Sequence, residues 1–264
     1  MVYTCYEMIR DCRADRPEGW AYFLAQYVPV IRTLLAHYFP EREGDTALIE
    51  RVLAGLRQPG SSLFQSLDPA PERAFVSELR QRVLGAVEAD RASAQPEVAI
   101  DLETLGTALE PLTLTEKQAA WFETMRYPDE DAGRMLRMSP QTAEKIRSRA
   151  ADLVRGSVDR WRRSLLADNG AFLGQAAAAL STKDCLPAKA FFDVIDGRTT
   201  WRGREEMERH VKSCWHCLDH FCRLLETVDV LRASKPLSAS EAEGYQRLLG
   251  IQPPKRPFWK RVAG

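Results

Sequence analysis

The sequence predicts an all-α, multi-domain protein that contains a helix-turn-helix domain and a small metal-binding helical domain. Apolar residues recur at helical spacing through most of the chain, while β-branched residues are scattered without a sustained alternation. Clusters of Pro, Gly and Ser separate the periodic segments. With 264 residues, the chain is long enough to form two or three small cores.

The N-terminal third predicts one helical domain, over residues 1–95. Its helices are expected over residues 18–40, 46–57 and 72–89. Pro29 is expected to kink or break the first of them, because proline lacks the N–H that a helix interior needs. Residues 91–104 are rich in turn-forming and polar residues and are expected to form a linker.

Composition excludes several classes of function. The formal net charge is zero, so contact with DNA requires a local basic patch rather than a general positive field. No apolar run reaches the roughly 20 residues that span a bilayer, and the N-terminus lacks a signal-peptide core. We therefore expect a cytoplasmic protein without membrane contact. No phosphate-binding loop, nucleophile elbow or convincing carboxylate pair is present, so we expect no enzymatic activity.

Residues 100–164 predict the helix-turn-helix domain. A first helix over about 115–126 precedes an acidic short helix that ends at Leu136. Ser139 is a good N-cap and Pro140 suits the first helical position, so a helix is expected over 140–155. We predict that this last helix contacts DNA through Gln141, Thr142, Lys145, Arg147, Ser148 and Arg149. Further positive charge suited to phosphates comes from Arg155, Arg160, Arg162 and Arg163.

The pattern His210-x3-Cys214-x2-Cys217 predicts a zinc site in a domain over residues 185–235. The three ligands are expected on one helix that begins near Thr200, and Cys185 is the expected fourth ligand. Three other residues are alternative fourth ligands: His216, His220 and Cys222. A metal-free packing of the thiols is a further alternative. Residues 165–184 are expected to be a linker, and residues 236–264 a C-terminal tail.

Two resemblances follow from these motifs. Ser139-Pro-Gln-Thr142, with the preceding acidic helix and the helix entry Leu114-Thr-Glu116, is similar to region 4 of the extracytoplasmic-function (ECF) sigma factors. This resemblance implies a module that reads the −35 promoter element and contacts RNA polymerase. Residues 18–90 resemble sigma region 2, which grips the polymerase and melts promoter DNA. Glu144 and Ile146 stand at positions that are usually basic in the family, which makes the recognition helix less cationic, and Arg147 stands at a usually apolar position.

The segment that carries Cys185 and the His-x3-Cys-x2-Cys pattern resembles the zinc-binding anti-sigma domain, which holds a sigma factor by inserting helices between its two domains. Together the resemblances imply an ECF-like sigma factor with Zn2+ bound in a fused anti-sigma-like domain. Its partners would be core RNA polymerase and promoter DNA, and the zinc domain would contact the sigma-like domains within the chain. Two alternatives are a degenerate sigma-like scaffold without initiation activity and a helix-turn-helix regulator that dimerises through zinc.

Overall fold

The computed structural model describes residues 3–42, 44–58, 63–65, 72–88, 99–156 and 165–252. Within these ranges every regular element is a helix, with fourteen α-helices, one short 3-10 helix and no strand. The predicted all-α fold class is therefore confirmed. None of the helices in this part of the chain is both long and apolar enough to cross a membrane.

The described residues form two compact units. The first unit combines Met1–Ser93 with Thr227–Gly264, and the second comprises Ala94–Glu226. The helices of the first unit are α1 (Cys5–Arg13), α2 (Pro17–Tyr38), α3 (Thr46–Arg57), α4 (Glu72–Glu88), the last turns of α13 (Trp215–Ala233), and α14 (Ala239–Leu248). A 3-10 turn, Pro40–Arg42, follows α2. The three helices predicted for this part of the chain are confirmed to within two residues.

The core of the first unit is a cluster of aromatic rings centred on Phe23 of α2. The Phe23 ring centroid lies 5.7 Å from that of Trp20, 5.5 Å from Tyr27, 5.6 Å from Phe64 and 6.2 Å from Phe75. Edge-to-face and offset ring pairs of this kind add to the free energy gained by burying the rings. The cluster joins α2 to α4 and to the short described segment around Phe64.

Helix α2 continues through Pro29, so the break, one of the two outcomes expected there, does not occur. A proline cannot donate to the carbonyl four residues before it, so the carbonyl of Ala25 has no donor within the helix. The N–H of Leu237 supplies that donor, at an N–O distance of 2.8 Å. A contact from a distant part of the chain therefore satisfies the backbone group that the proline leaves without a helical partner.

The second unit contains eight complete helices and the first part of α13. They are α5 (Leu102–Ala108), α6 (Leu114–Thr124), α7 (Asp129–Leu136), α8 (Pro140–Arg155), α9 (Leu165–Asp168), α10 (Gly170–Ala179), α11 (Ala188–Ile195) and α12 (Trp201–Ser213). The predicted short acidic helix and the helix over 140–155 are confirmed at the predicted residues.

The turn between α7 and α8 has the compact form of a helix-turn-helix. Arg137, which follows the last residue of α7, has a left-handed backbone with φ of 57° and ψ of 42°. A Cβ on Gly133 would come within 2.9 Å of the Met138 carbonyl oxygen, so the chain can turn this tightly only past a glycine. The Ser139 hydroxyl then accepts from the Thr142 N–H at 3.1 Å and caps α8.

Two segments differ from their predicted roles. Residues 165–184, expected to be a linker, contain α9 and α10, whose Leu165, Leu166 and Leu173 are buried. Asn169 joins this stretch to the start of the unit, since its Oδ1 accepts from the Ile100 N–H at 3.1 Å. The segment predicted as a tail contains α14, which packs on α2 through Ala242. Most of the predicted 91–104 linker and all of 253–264 lie outside the described residues.

Candidate metal centre and helix-turn-helix surface

The four predicted metal ligands come from three neighbouring parts of the second unit. Cys185 lies in the turn before α11, and His210 lies in the last turn of α12. Cys214 follows α12 directly, and Cys217 is in the first turn of α13. Structural metal sites typically combine ligands that are close together in the sequence with a ligand from a separate turn.

The chain breaks its helix at Cys214, which corrects the prediction that one helix carries His210, Cys214 and Cys217. Cys214 has an extended backbone, with φ of −115° and ψ of 107°. Its N–H donates to the His210 carbonyl at 3.0 Å, and its carbonyl accepts from the Leu218 N–H at 2.9 Å. Cys214 therefore ends α12 and starts α13, so two of the thiols lie at the N-terminus of a helix, where backbone N–H groups favour negative charge.

The three cysteines lie together. The Sγ atoms of Cys185 and Cys214 are 4.0 Å apart, and the three sulfurs, including that of Cys217, all lie within 4.8 Å of one another. The His210 Nε2 is 3.2 Å from the Cys217 sulfur, but His210 does not belong to the set in which every ligand atom lies within 4.8 Å of the others. Three thiols at this spacing can hold a metal ion, and His210 contacts one of them.

The alternative fourth ligands, like His210, lie outside the set of mutually close ligand atoms found among the described residues. The His220 ring packs against Phe191 at a centroid distance of 5.2 Å. Cys222 is fully buried, and burial raises its pKa well above the usual value for a thiol. The Nδ1 of His216 is buried with no hydrogen-bond partner in the described structure. None of the three matches the direct sulfur contact that His210 makes.

Backbone N–H groups point at two of the sulfurs. The Thr182 N–H lies 3.3 Å from the Cys185 sulfur, and this hydrogen bond lowers the pKa of Cys185. The Leu186 N–H lies 3.4 Å from the Cys217 sulfur, but burial outweighs it and raises the pKa of Cys217 to about 12. A buried thiol of this kind ionises when a metal cation replaces its proton, so binding releases protons and strengthens as pH rises.

The helices beside the cysteines pack on α6, the first helix of the helix-turn-helix part. The Lys117 ammonium donates to the Lys212 carbonyl at 3.1 Å and lies 5.8 Å from the centre of the Trp215 ring. The Trp215 ring is also 5.4 Å from that of Trp121. Lys212 and Trp215 are two positions before and one position after Cys214, so the metal ligand and the packing contact share one short stretch of chain.

Buried polar pairs continue this interface along α13. The Trp121 indole donates to Asp219 Oδ1 at 3.1 Å, and Arg223 lies 2.8 Å from the other carboxylate oxygen of Asp219. Further on, the Tyr127 hydroxyl donates to Glu226 at 2.6 Å. Nothing in the local sequence pattern marks these residues, because the contacts with α13 join positions nearly a hundred residues apart.

The outward face of α8 carries most of the predicted DNA-binding residues. Five of them are at least partly exposed together: Gln141, Thr142, Lys145, Ser148 and Arg149. The opposite face buries Ala143, Ala150 and Val154 against the unit. A solvent-exposed face of polar side chains that begins at the N-terminus of the second helix is the arrangement by which helix-turn-helix proteins approach the major groove.

Arg147 does not belong to this face, which corrects its prediction as a DNA-binding residue. Its side chain is only 16% exposed and turns inward, toward α6 and the start of α7. It lies 3.5 Å from the Glu123 carboxylate and 2.8 Å from that of Asp129, and it donates to the Tyr127 carbonyl at 2.9 Å. Arg147 therefore fixes α8 to the rest of the unit.

Two cations on α8 have acidic neighbours. Arg149 pairs with Glu116 of α6 at 2.8 Å, and Arg155 pairs with Asp152 at 3.0 Å. The exposed Glu144 adds a further negative charge beside Lys145. The described part of the face is thus close to neutral. The remaining predicted phosphate-binding residues, Arg160, Arg162 and Arg163, lie outside the described residues.

Comparison of the chain with protein-family models, curated proteins and solved structures finds no match.

Proposed function

We propose that the chain is an ECF-like sigma factor that directs RNA polymerase to promoters and is held inactive by its own zinc-binding, anti-sigma-like segment. The observation that supports this most directly is the packing of α12 and α13 on α6. Lys117 and Trp121 of α6 contact Trp215 and the Lys212 carbonyl. The segment that resembles an inhibitor therefore covers the first helix of the part that resembles sigma region 4.

Zinc is the metal that suits the ligand set best. Tetrahedral zinc with Zn–S bonds of about 2.3 Å requires sulfurs about 3.8 Å apart, and the Cys185–Cys214 separation of 4.0 Å is close to this value. Three thiolates and one imidazole form a closed structural set with no open position for water. The proposed ligands are Cys185, His210, Cys214 and Cys217, and the proposed role of the ion is to stabilise the fold rather than to catalyse.

Metal binding and inhibition are coupled through the chain around Cys214. Trp215 follows this ligand and packs on Trp121, while Lys212 precedes it and accepts from Lys117. An ion that fixes Cys214 also fixes both neighbours on α6. Because the segment is tethered to its target, its effective concentration is high, and a contact of modest affinity is enough to keep α6 covered.

The face of α8 that we propose to read DNA remains exposed. The inhibition we propose therefore does not cover the recognition helix. It covers α6 and blocks the binding of polymerase. Gln141, Thr142 and Lys145 supply the groups that would reach base edges, while Arg149 would reach a phosphate. This division predicts that the inhibited chain keeps some affinity for DNA alone.

Reconstituted transcription tests the proposal. Trp215→Ala removes the ring that packs on Trp121, and Trp201→Ala is the matched control because Trp201 is 79% exposed. With core RNA polymerase and a promoter selected from random DNA by the chain itself, we expect Trp215→Ala to initiate several-fold more transcripts than the wild type. Trp201→Ala should behave as the wild type does. Equal output from all three proteins, or none, would contradict the proposal.

A second candidate is a sigma-like scaffold that binds polymerase without starting transcription. The near-neutral face of α8, with Arg149 paired to Glu116, Arg155 paired to Asp152 and Glu144 exposed, favours it. Sequence-independent affinity for DNA comes mainly from cations that contact phosphates. Retention on core polymerase without promoter-specific transcripts, even from Trp215→Ala, would identify this second function.

A further inference from the structure

The carboxylate of Glu116 connects the start of α6 to the outward face of α8. Glu116 is the third residue of α6, and each of its two oxygens has a partner of its own. Oε2 accepts from the Thr113 N–H at 2.8 Å and from the Thr113 hydroxyl at 2.9 Å. Oε1 accepts from Nη1 of Arg149 on α8 at 2.8 Å. One acidic side chain therefore has a capping contact on its own helix and an ion pair with the next.

The capping contact fixes the position of the carboxylate. The Glu116 N–H donates back to the Thr113 hydroxyl at 3.3 Å, which completes a reciprocal capping box. The backbone hydrogen bond from Thr113 lowers the pKa of Glu116, so this group is charged at neutral pH. Only 19% of the Glu116 side chain is exposed. Glu116 is therefore a fixed anionic point and differs from a mobile surface charge.

The Arg149 guanidinium keeps most of its donors for a further partner. Its side chain is 55% exposed. A guanidinium carries five N–H donors in a rigid fork, and among the described residues only Nη1 of Arg149 makes a hydrogen bond or an ion pair. Arginine binds a phosphate through two parallel N–H···O bonds, and the remaining donors are sufficient for such a pair.

The other arginines of α8 are held differently. Arg147 turns inward and contacts Glu123 and Asp129. Arg155 pairs with Asp152 on its own helix, but both side chains are more than half exposed, and an exposed pair of this kind orders its members only weakly. Within the described part of α8, Arg149 is thus the arginine that combines an outward position with a fixed acidic partner on another helix.

Glu116 has two opposite effects on the binding of a phosphate by Arg149. Its negative charge repels the phosphate, and dissolved salt screens this repulsion. Its hydrogen bond orders the guanidinium in advance, which avoids a cost of roughly two- to tenfold in affinity for immobilising a long side chain on binding. Because salt does not remove the benefit of ordering, we expect ordering to be the larger effect at physiological salt.

We propose that Glu116 is a positioning residue for DNA binding, which holds the Arg149 guanidinium in the orientation that donates to a backbone phosphate. The contact of Arg149 with DNA rests on the proposed function, whereas the ordering of its side chain by Glu116 does not. Glu116→Gln separates this role from the stability of α6, because glutamine also completes a capping box. Glutamine has a single acceptor oxygen, so when that oxygen caps α6 the amide nitrogen faces Arg149.

The mobility of the Arg149 side chain in the DNA-free, full-length chain tests the ordering. Relaxation of its Nε–H group in nitrogen-15 NMR measures this mobility, and Arg149→Lys identifies the signal. We expect the order parameter to be high in the wild type and to fall clearly in Glu116→Gln. Glu144→Gln is the matched control, because Glu144 is an exposed acid on α8, and it should leave the order parameter unchanged. An unchanged order parameter in Glu116→Gln would overturn the positioning role.

Affinity for DNA tests the consequence of the ordering. The probe is a duplex selected from random DNA by the wild-type chain, measured by fluorescence anisotropy at physiological salt without polymerase. Glu116→Gln should bind roughly three- to tenfold more weakly although it removes a negative charge. Glu144→Gln, which removes a charge without a positioning role, should bind as tightly as the wild type or more tightly.

A double variant shows whether Glu116 acts through Arg149. In an Arg149→Gln background, Glu116→Gln should cause no further weakening of DNA binding, because the side chain that it positions is absent. Equal weakening in both backgrounds, or tighter binding by Glu116→Gln alone, would overturn the positioning role.

The two measurements also separate this inference from the proposed function. If Glu116→Gln mobilises Arg149 and no protein in the series binds any DNA, the ordering is supported and DNA reading by α8 is what fails. If the DNA results follow the expected pattern and core polymerase yields no promoter-specific transcripts, the positioning role is supported and the sigma-factor function is what fails.

Discussion

The indole N–H of Trp121 donates to the carboxylate of Asp219 at 3.1 Å, across 98 positions of sequence. Both side chains are buried, and the second carboxylate oxygen of Asp219 faces Arg223 at 2.8 Å. One carboxylate therefore accepts from a donor on the helix-turn-helix side and forms an ion pair with a cation on its own helix, although the 2.8 Å contact lacks hydrogen-bond geometry at the Arg223 Nε. This polar contact joins α6 to α13, and it can form only when the two helices pack in one particular register.

Asp219→Ala should destabilise the second unit by about 3 to 5 kcal/mol, because it leaves Arg223 as a buried charge without its counterion and removes the acceptor of Trp121. Denaturant unfolding of the full-length chain measures this change. Replacing both Asp219 and Arg223 by leucine should recover a large part of the loss, since the uncompensated charge is then gone. A double variant as unstable as Asp219→Ala would show that the ion pair is not the reason.

Gly170→Ala should destabilise the chain by about 3 kcal/mol or more, because a Cβ at this position would lie only 2.0 Å from the Thr124 carbonyl oxygen. Gly174→Ala in the same helix is the matched control. No atom lies within 4 Å of a Cβ there, and the better helix propensity of alanine should stabilise the chain by up to about 1 kcal/mol. Thermal unfolding of the two variants compares them, and similar melting temperatures would contradict the close packing of α10 on α6.

Arg147→Gln should weaken folding without changing DNA binding, whereas Arg149→Gln should weaken DNA binding without changing folding. Arg147 contacts Glu123, Asp129 and the Tyr127 carbonyl, so its loss should cost about 2 kcal/mol of stability. Arg149 is exposed, and its loss should change stability by less than about 0.5 kcal/mol. Denaturant unfolding of the two variants measures this difference.

The DNA-binding half of this prediction uses the salt dependence of affinity. Arg149→Gln should reduce the slope of log affinity against log salt concentration by about one, as expected when one phosphate contact is lost. Arg147→Gln, measured at a temperature where it is folded, should keep the wild-type slope. A reduced slope for Arg147→Gln would show that Arg147 belongs to the proposed DNA-binding face.

Metal analysis of the purified chain should find about one zinc ion per molecule, held by the Cys185, His210, Cys214 and Cys217 set. Cys185→Ser and His210→Ala should each weaken zinc binding at least about tenfold, because a structural site needs all four donors. Cys222→Ser is the control, since Cys222 is buried away from the three close sulfurs. Loss of zinc from the control alone would reassign the fourth ligand.

Local signals in the sequence were sufficient for several helices and for two of the three cysteines that lie together, Cys214 and Cys217. Ser139 and Pro140 mark the start of α8 through capping and proline geometry, which depend only on neighbouring residues. The spacing of His210, Cys214 and Cys217 likewise identifies them as potential ligands before any tertiary contact is known. Predictions of this kind succeed because the responsible residues lie close together in the sequence.

The features that were missed depend on distant residues. The inward turn of Arg147 follows from the acidic partners that α6 and α7 place beside it. Residues 165–184 were predicted as a linker because their own helical signal is weak, yet burial of Leu165, Leu166 and Leu173 orders them. Tertiary packing decided each of these outcomes.

We propose that a metal ion at the three cysteines and His210 holds α12 and α13 on α6. Amide hydrogen exchange of α6, compared between the zinc-loaded chain and the chain after chelation, tests it most directly. We predict that chelation accelerates exchange in α6 as well as in α12 and α13, while α4 of the other unit stays unchanged as the internal reference. Faster exchange in α12 and α13 with unchanged protection of α6 would contradict the claim.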